Sequence, residues 1–184
     1  MSAVTSTLNP NAPCWVPRAP TQVAKDCYVI KSELNTLNPY CSKYRFKILN
    51  VTYTNTVQAV LHRLALMYND NSLAKAILLA ETPGYAEELG MKLRTNAHFH
   101  THVEKITHDV YYYRLKGSQM LRNHLSNTTD KQVIMGYNNS TIWGVGFDWQ
   151  DDSFWDFASW KGDNLIGNVL MKLRKDPEMV SATQ

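Results

Sequence analysis

A chain of 184 residues with 44% hydrophobic and 19% charged side chains has the make-up of one globular domain, and a formal net charge of +3 without a basic run gives no reason to expect direct nucleic-acid binding. Cys14, Cys27 and Cys41 are odd in number and lack CxxC spacing, so neither a disulfide framework nor a zinc site follows, and a reducing compartment suits them. No basic-then-apolar leader opens the chain and no apolar run nears the roughly 20 residues that cross a bilayer, so no membrane partner is expected and the cytoplasm is the expected location.

Residues 1–24 are rich in Ser, Thr, Asn and Pro, and Pro10, Pro13, Pro17 and Pro20 forbid regular helix or a central strand, which predicts a disordered N-terminal tail. Within it, residues 6–17 set Leu8, Ala12 and Trp15 on a proline-stiffened peptide, the arrangement that a linear recognition motif needs. Ser6, Leu8, Asn9, Ala12 and Pro17 resemble the PAM2 motif, which binds the MLLE domain of poly(A)-binding protein. Trp15 stands where most such motifs carry Phe, although a Trp-bearing variant belongs to the class. The resemblance implies poly(A)-binding protein as a partner, engaged through Leu8, Asn9, Ala12, Trp15 and Pro17.

From residue 25 the pattern becomes that of a folded domain, expected to run to 176 and to be followed by a short tail over 177–184. Tyr28-Val29-Ile30 reads as a strand, and Phe46 to Ile48 with Val51 to Tyr53 reads as a hairpin. Helices are predicted next, one capped within 54–56, one beginning at Ser72, and a short one from Thr82-Pro83 to Gly90. A long helix over about 97–115 and another after Ser118 complete this run. Val133 to Met135 and Thr141 to Val145 are expected to pair around Asn138-Asn139. The domain is thus a mainly helical α+β unit with a few short strands.

The segment Ile142 to Lys175 holds the most chemistry. Trp143-Gly144-Val145-Gly146 reads as a strand end and two glycines that admit a close backbone approach, and Leu165 to Arg174 reads as a helix capped by Asp163 or Asn164. A Trp, an Asn and a helix N-terminus facing one loop can make a polar ligand pocket, and can equally be a buried Trp beside a core helix.

Trp143, Gly144 and Gly146, followed by Asn164, Gly167, Leu170, Met171 and Arg174, resemble the signature of the YbiA-like, or NADAR, superfamily. Pro83, Ala86 and Gly90 extend the resemblance upstream, as does an ungapped run from Ile106 through Arg114 to Leu125; together they cover roughly residues 27–176. The resemblance implies the YbiA-like fold and an N-glycosidase that acts on riboflavin-pathway intermediates or ADP-ribose adducts. Such chemistry passes through an oxocarbenium-like state that carboxylates stabilise. At the family's functional positions this chain departs: Val57, beside Gln58, and Met135 stand for two Glu, Met91 for an Arg, Arg114 for a Lys, Ser140 for an Asp, and Leu37-Asn38-Pro39 for a Leu-Ser-Asn segment. Val and Met hold no proton, so a degenerate, non-catalytic member is expected, with Trp143, Gly144, Gly146, Asn164 and Arg114 as a candidate residual ligand pocket and no cofactor.

The loop from Phe147 to Trp160 mixes six aromatics with four acids. Trp149, Phe154, Trp155 and Trp160 are its candidate protein-binding residues, for a second partner of unknown identity; packing over the old pocket as core is an equal reading. His98, His100, His102 and His108 lie close in sequence, but no Cys or Glu completes a tetrahedral set, and a solvated helix face is the better reading. The expected function is a non-catalytic adaptor that joins poly(A)-binding protein to another protein and affects mRNA translation or stability. The alternative is an active N-glycosidase or an ADP-ribose or nucleotide-binding protein.

Overall fold

The computed structural model describes residues 24–181. The motif at residues 6–17 lies outside the described residues. Strands β1 (Cys27–Ile30) and β4 (Gln132–Met135) pair in parallel with Cys27 opposite Gln132 and Ile30 opposite Met135. Alternation then sends Tyr28, Ile30, Val133 and Met135 to a large helical core. Cys27, Val29 and Ile134 go to the opposite face, where Val145 and Phe154 meet them.

Thr141 to Val145 do not pair with β4, as the sequence pattern suggested. They form a turn in which the amides of Gly144 and Gly146 both donate to the Ser140 carbonyl, at 3.2 and 3.0 Å. The free edge of β4 is closed by a side chain instead. Asn164 Nδ2 donates to the Val133 carbonyl at 2.8 Å, and its Oδ1 accepts from the Met135 amide at 2.9 Å. An amide presents one donor and one acceptor in the spacing of a strand backbone, so this residue replaces a neighbouring strand.

The hairpin of β2 (Phe46–Ile48) and β3 (Val51–Tyr53) turns through Leu49 at φ 53. Helix α1 (Thr56–Met67) follows, with Asn55 accepting from the Gln58 amide at 2.9 Å; Val57, Val60, Leu61 and Leu64 make it the centre of the core. Helix α2 (Asn71–Leu78) starts one residue before Ser72, because Asp70 supplies the cap to Leu73. Thr82 caps α3 (Pro83–Gly90). Helices α4 (Phe99–Lys116), α5 (Gln119–Ser126), α6 (Leu165–Arg174) and α7 (Pro177–Ser181) complete a mainly helical α+β domain. Among the described residues no helix is long and apolar enough to cross a membrane.

Asn164 is the residue before α6, yet its side chain makes no capping bond to that helix; it sits at φ 52, ψ 44 and serves β4. Local sequence offered the cap because Asn is a favoured N-cap, but two buried backbone groups on β4 have the greater need of it. Gly167, in the first turn of α6, is obligatory for the same reason: a Cβ there would lie 2.1 Å from the Val133 carbonyl oxygen.

His124 on α5 ties down the segment after β1, with Nε2 2.6 Å from the Tyr28 hydroxyl and Nδ1 2.6 Å from Thr36 Oγ1. Burial lowers its pKa, and burial lowers that of His62 as well.

Asn164→Ala should cost about 1–3 kcal/mol through the unpaired Val133 carbonyl and Met135 amide, measured by denaturant titration. Gly167→Ala should cost about 3 kcal/mol or more, because backbone of β4 must move. With both histidine pKa values depressed in the folded state, the unfolded chain binds more protons below its ordinary histidine pKa of about 6.5. Stability is therefore expected to be full above that pH and to fall as pH drops below it, and His124→Gln should flatten that slope in a pH series of thermal melts.

Candidate functional site

Trp143 is 1% exposed, and its indole Nε1 donates to Glu87 Oε1 at 2.7 Å. The hydroxyl of Tyr40 donates to the same oxygen, also at 2.7 Å. Each partner is delivered by a different element: Glu87 by α3, Tyr40 by the loop after β1, and Trp143 by the turn that precedes α6. That turn is held to the helix by the Ile166 amide donating to the Trp143 carbonyl at 3.0 Å. Tyr137 packs edge-on against Tyr40, and burial above all pushes the Tyr40 hydroxyl well above the ordinary tyrosine pKa. Tyr40 is thus a hydrogen-bond donor to Glu87 across the physiological range.

Glu87 and Trp143 line a cavity of about 200 Å³ with Leu61, Met91 and Leu93. Phe99, Val103 and Ile142 line this cavity too, and they also belong to a larger one of about 690 Å³ between the start of α4 and one face of α6. Lys161, Lys172 and Lys175 stand along the larger cavity, Lys172 paired at 2.5 Å with Glu104. Sharing Phe99, Val103 and Ile142, the two make one trough, with Glu87 and Trp143 at one end and three lysines with Glu104 and Asp163 at the other.

The residues picked out from sequence do not form one pocket. Trp143 lines the trough, whereas Gly144, Gly146 and Asn164 serve the fold: a Cβ on Gly144 would lie 2.7 Å from the Met135 carbonyl, Gly146 has φ +81, and Asn164 has both ends of its amide engaged by β4. Arg114 lines a separate cavity that shares no residue with the trough. Val57 and Met135 are wholly buried in the helical core, while Met91 is 77% exposed and lines the trough. Gln58 joins α1 to the end of α2 by donating to the Leu78 and Ala80 carbonyls at 3.1 and 3.3 Å. Ser140 Oγ accepts from the Trp143 amide at 3.0 Å and so shapes the turn.

In the aromatic loop Phe154 is fully buried, the centre of the second core, and is not available to a partner. Trp149, Trp155 and Trp160 are half-buried around it, and Phe157 is the more exposed ring. Three of the four acids of this loop act on backbone amides: Asp148 accepts from the Asn138 and Gln150 amides, Asp151 from Ser153, and Asp156 from Ala158. Of the clustered histidines, His102 bonds the Tyr68 hydroxyl through Nδ1 at 3.0 Å. Glu87 is the functional candidate that sequence reasoning missed; its only local signal was its place between Ala86 and Gly90 in the quoted motif.

Residues 22–176 match the NADAR domain. The chain belongs to the NADAR family. Protein irg-1 of Caenorhabditis elegans is 26% identical over 128 residues, covering 67% of this chain but only 60% of irg-1. An N-glycosidase of Acanthamoeba polyphaga mimivirus is 29% identical over 129 residues, covering 67% of this chain and 74% of the viral protein. The NMR structure of Escherichia coli YbiA superposes with a TM-score of 0.68 at 16% identity, over 86% of this chain and 88% of YbiA, which shows the YbiA-like fold. In this NADAR domain the signature glycines and Asn164 hold the fold, and of the signature residues Trp143 and Met171 line the trough.

Glu87→Ala leaves the Trp143 and Tyr40 donors unpaired and should cost about 1–3 kcal/mol by denaturant titration. Combined with Trp143→Phe it should cost clearly less than the two single changes added, since both remove the same bond.

Proposed function

We propose that this NADAR domain is a non-catalytic adaptor, which docks to the MLLE domain of poly(A)-binding protein through residues 6–17 and to another protein through the aromatic loop, and so affects mRNA translation or stability in the cytoplasm. The observation that carries the non-catalytic half is the burial of Val57 and Met135, which stand where the family resemblance places acids, in an apolar core with no exposure. A glycosidic bond cannot be attacked or protonated from such positions. On the loop, Trp149, Trp155 and Trp160 keep part of their surface outside the second core, and indoles of that kind contribute most of the energy of protein interfaces.

A second reading, an N-glycosidase or a binder of ADP-ribose or another nucleotide, is supported by Glu87 beside Trp143 and by the lysines at the far end of the trough. The name of the mimivirus relative agrees with it. Against it, Glu87 Oε1 is already engaged by two donors, the Tyr40 hydroxyl and the Trp143 indole.

Full-length protein should bind isolated MLLE domain in a calorimetric titration, and a chain beginning at Ala24 should not. Trp15→Ala should weaken binding by about 2 kcal/mol or more, whereas Thr7→Ala should leave it unchanged. Equal binding by the shortened chain would remove the adaptor reading. A saturable ADP-ribose titration that is lost in Glu87→Gln would move the assignment to the second reading.

A further inference from the structure

Glu87 ties α3 to the loop after β1 and to the turn before α6 through one oxygen, Oε1, which accepts from the Tyr40 hydroxyl and the Trp143 indole. Both donors are neutral, and a glutamine carbonyl would accept the same two bonds. The fold therefore needs an acceptor at this place but does not require a charge. What the carboxylate adds is its second oxygen. Oε2 accepts no hydrogen bond among the described residues and is not closed off from solvent. No cation pairs with Glu87 among the described residues.

The cavity of about 200 Å³ that Glu87 lines is the apolar end of the trough. Leu61, Leu93 and Phe99 form part of its wall, with Met91 and Ile142 exposed beside them. No cationic side chain lines it, since the three lysines of the trough belong to the larger cavity. Met91 stands where the family resemblance places an Arg, so the only charge offered to a ligand at this end is negative. A half-buried carboxylate with one unengaged oxygen and hydrocarbon around it is complemented by a cation that carries an apolar body. Phe99 adds an aromatic ring, which also favours a cation. An apolar cavity of about 150 Å³ holds benzene, so this one has room for about six to eight non-hydrogen atoms.

We propose that this end of the trough binds a primary alkylammonium ion of about six carbons, its N–H groups donating to Glu87 Oε2 and its chain lying among Met91, Leu93, Phe99 and Ile142. The ligand is opposite in sign to a nucleotide, and the site does not rest on the adaptor reading. The walls come from α1, α3, the segment after α3, α4 and the turn before α6, which is why no local pattern in the sequence announces it.

Titration of nitrogen-labelled full-length protein with n-hexylamine, 1-hexanol and hexanoate tests this. The readout is the indole N–H resonance of Trp143, which shares Glu87 with the ligand and is identified by its loss in Trp143→Phe. Near neutral pH an alkylamine is almost wholly protonated, its pKa lying close to the lysine value of about 10.4. Hexylamine is expected to shift that resonance saturably, 1-hexanol to bind about tenfold more weakly, and hexanoate not to bind. Glu87→Gln keeps an acceptor for Tyr40 and Trp143, so it should hold the melting temperature while weakening hexylamine about tenfold or more. Met91→Arg, at an exposed position, brings a like charge to the site and should also weaken hexylamine about tenfold. If Glu87→Gln does not fold, Met91→Arg decides. Failure of hexylamine to saturate, equal binding of hexanol or hexanoate, or unchanged affinity in Met91→Arg overturns the proposal. Nα-acetyl-lysine amide carries the same ammonium on a peptide unit: weaker binding than hexylamine supports a free amine, and tighter, competing binding overturns it in favour of a protein lysine. The outcome is separate from that of the MLLE titration, so either can fail alone.

Discussion

The amide of Asn164 bonded to both Val133 and Met135 is the joint on which the functional half of the domain depends. A two-stranded parallel sheet leaves a free edge on β4, and burying that edge unpaired is not tolerable. One side chain in a left-handed backbone conformation closes it, and this fixes where α6 begins. The close approach of α6 to β4 then leaves no room for a side chain at Gly167, and the turn before it leaves none at Gly144. Trp143 is carried by that turn to Glu87, so the polar end of the trough is a consequence of how β4 is finished.

On the non-catalytic reading proposed above, this is how a domain keeps the appearance of an enzyme site without its chemistry. The signature glycines and Asn164 are required by backbone packing, whatever happens at the acids. Where the resemblance places carboxylates, Val57 and Met135 enlarge the core and Ser140 shapes a turn, while Gln58 beside Val57 joins two helices through hydrogen bonds. The aromatic loop adds a second apolar layer behind the sheet, with Asp151 and Asp156 committed to short-range turns. What remains at the surface is a set of half-covered indoles and a trough in which Lys161, Lys172 and Lys175 stand with Glu87, Glu104 and Asp163.

Helices α1 to α5 were legible because their signals are local: Thr82 before Pro83 and Ser118 three residues before Leu121 announce a helix start within one turn. Signals that join distant residues were not. The β1–β4 pairing links residues about a hundred positions apart, and Thr141 to Val145 looked like a nearer partner for β4. Asn164 looked like a cap because its true partners lie 29 and 31 residues before it. Glu87 was one glutamate on a short surface helix until Tyr40 and Trp143, 47 and 56 residues away, closed on one of its oxygens. From sequence the aromatic loop admits an interface or a core reading, and Phe154 takes the core side of it, with Trp149, Trp155 and Trp160 half-buried around that ring.

The most direct test of the central claim is a turnover measurement. Full-length protein incubated with a riboflavin-pathway N-glycoside and with an ADP-ribosylated nucleoside should release free base no faster than buffer, with the product followed by chromatography. Release well above the buffer rate that disappears in Glu87→Gln would contradict the account, because it would make the one carboxylate beside Trp143 a catalytic group.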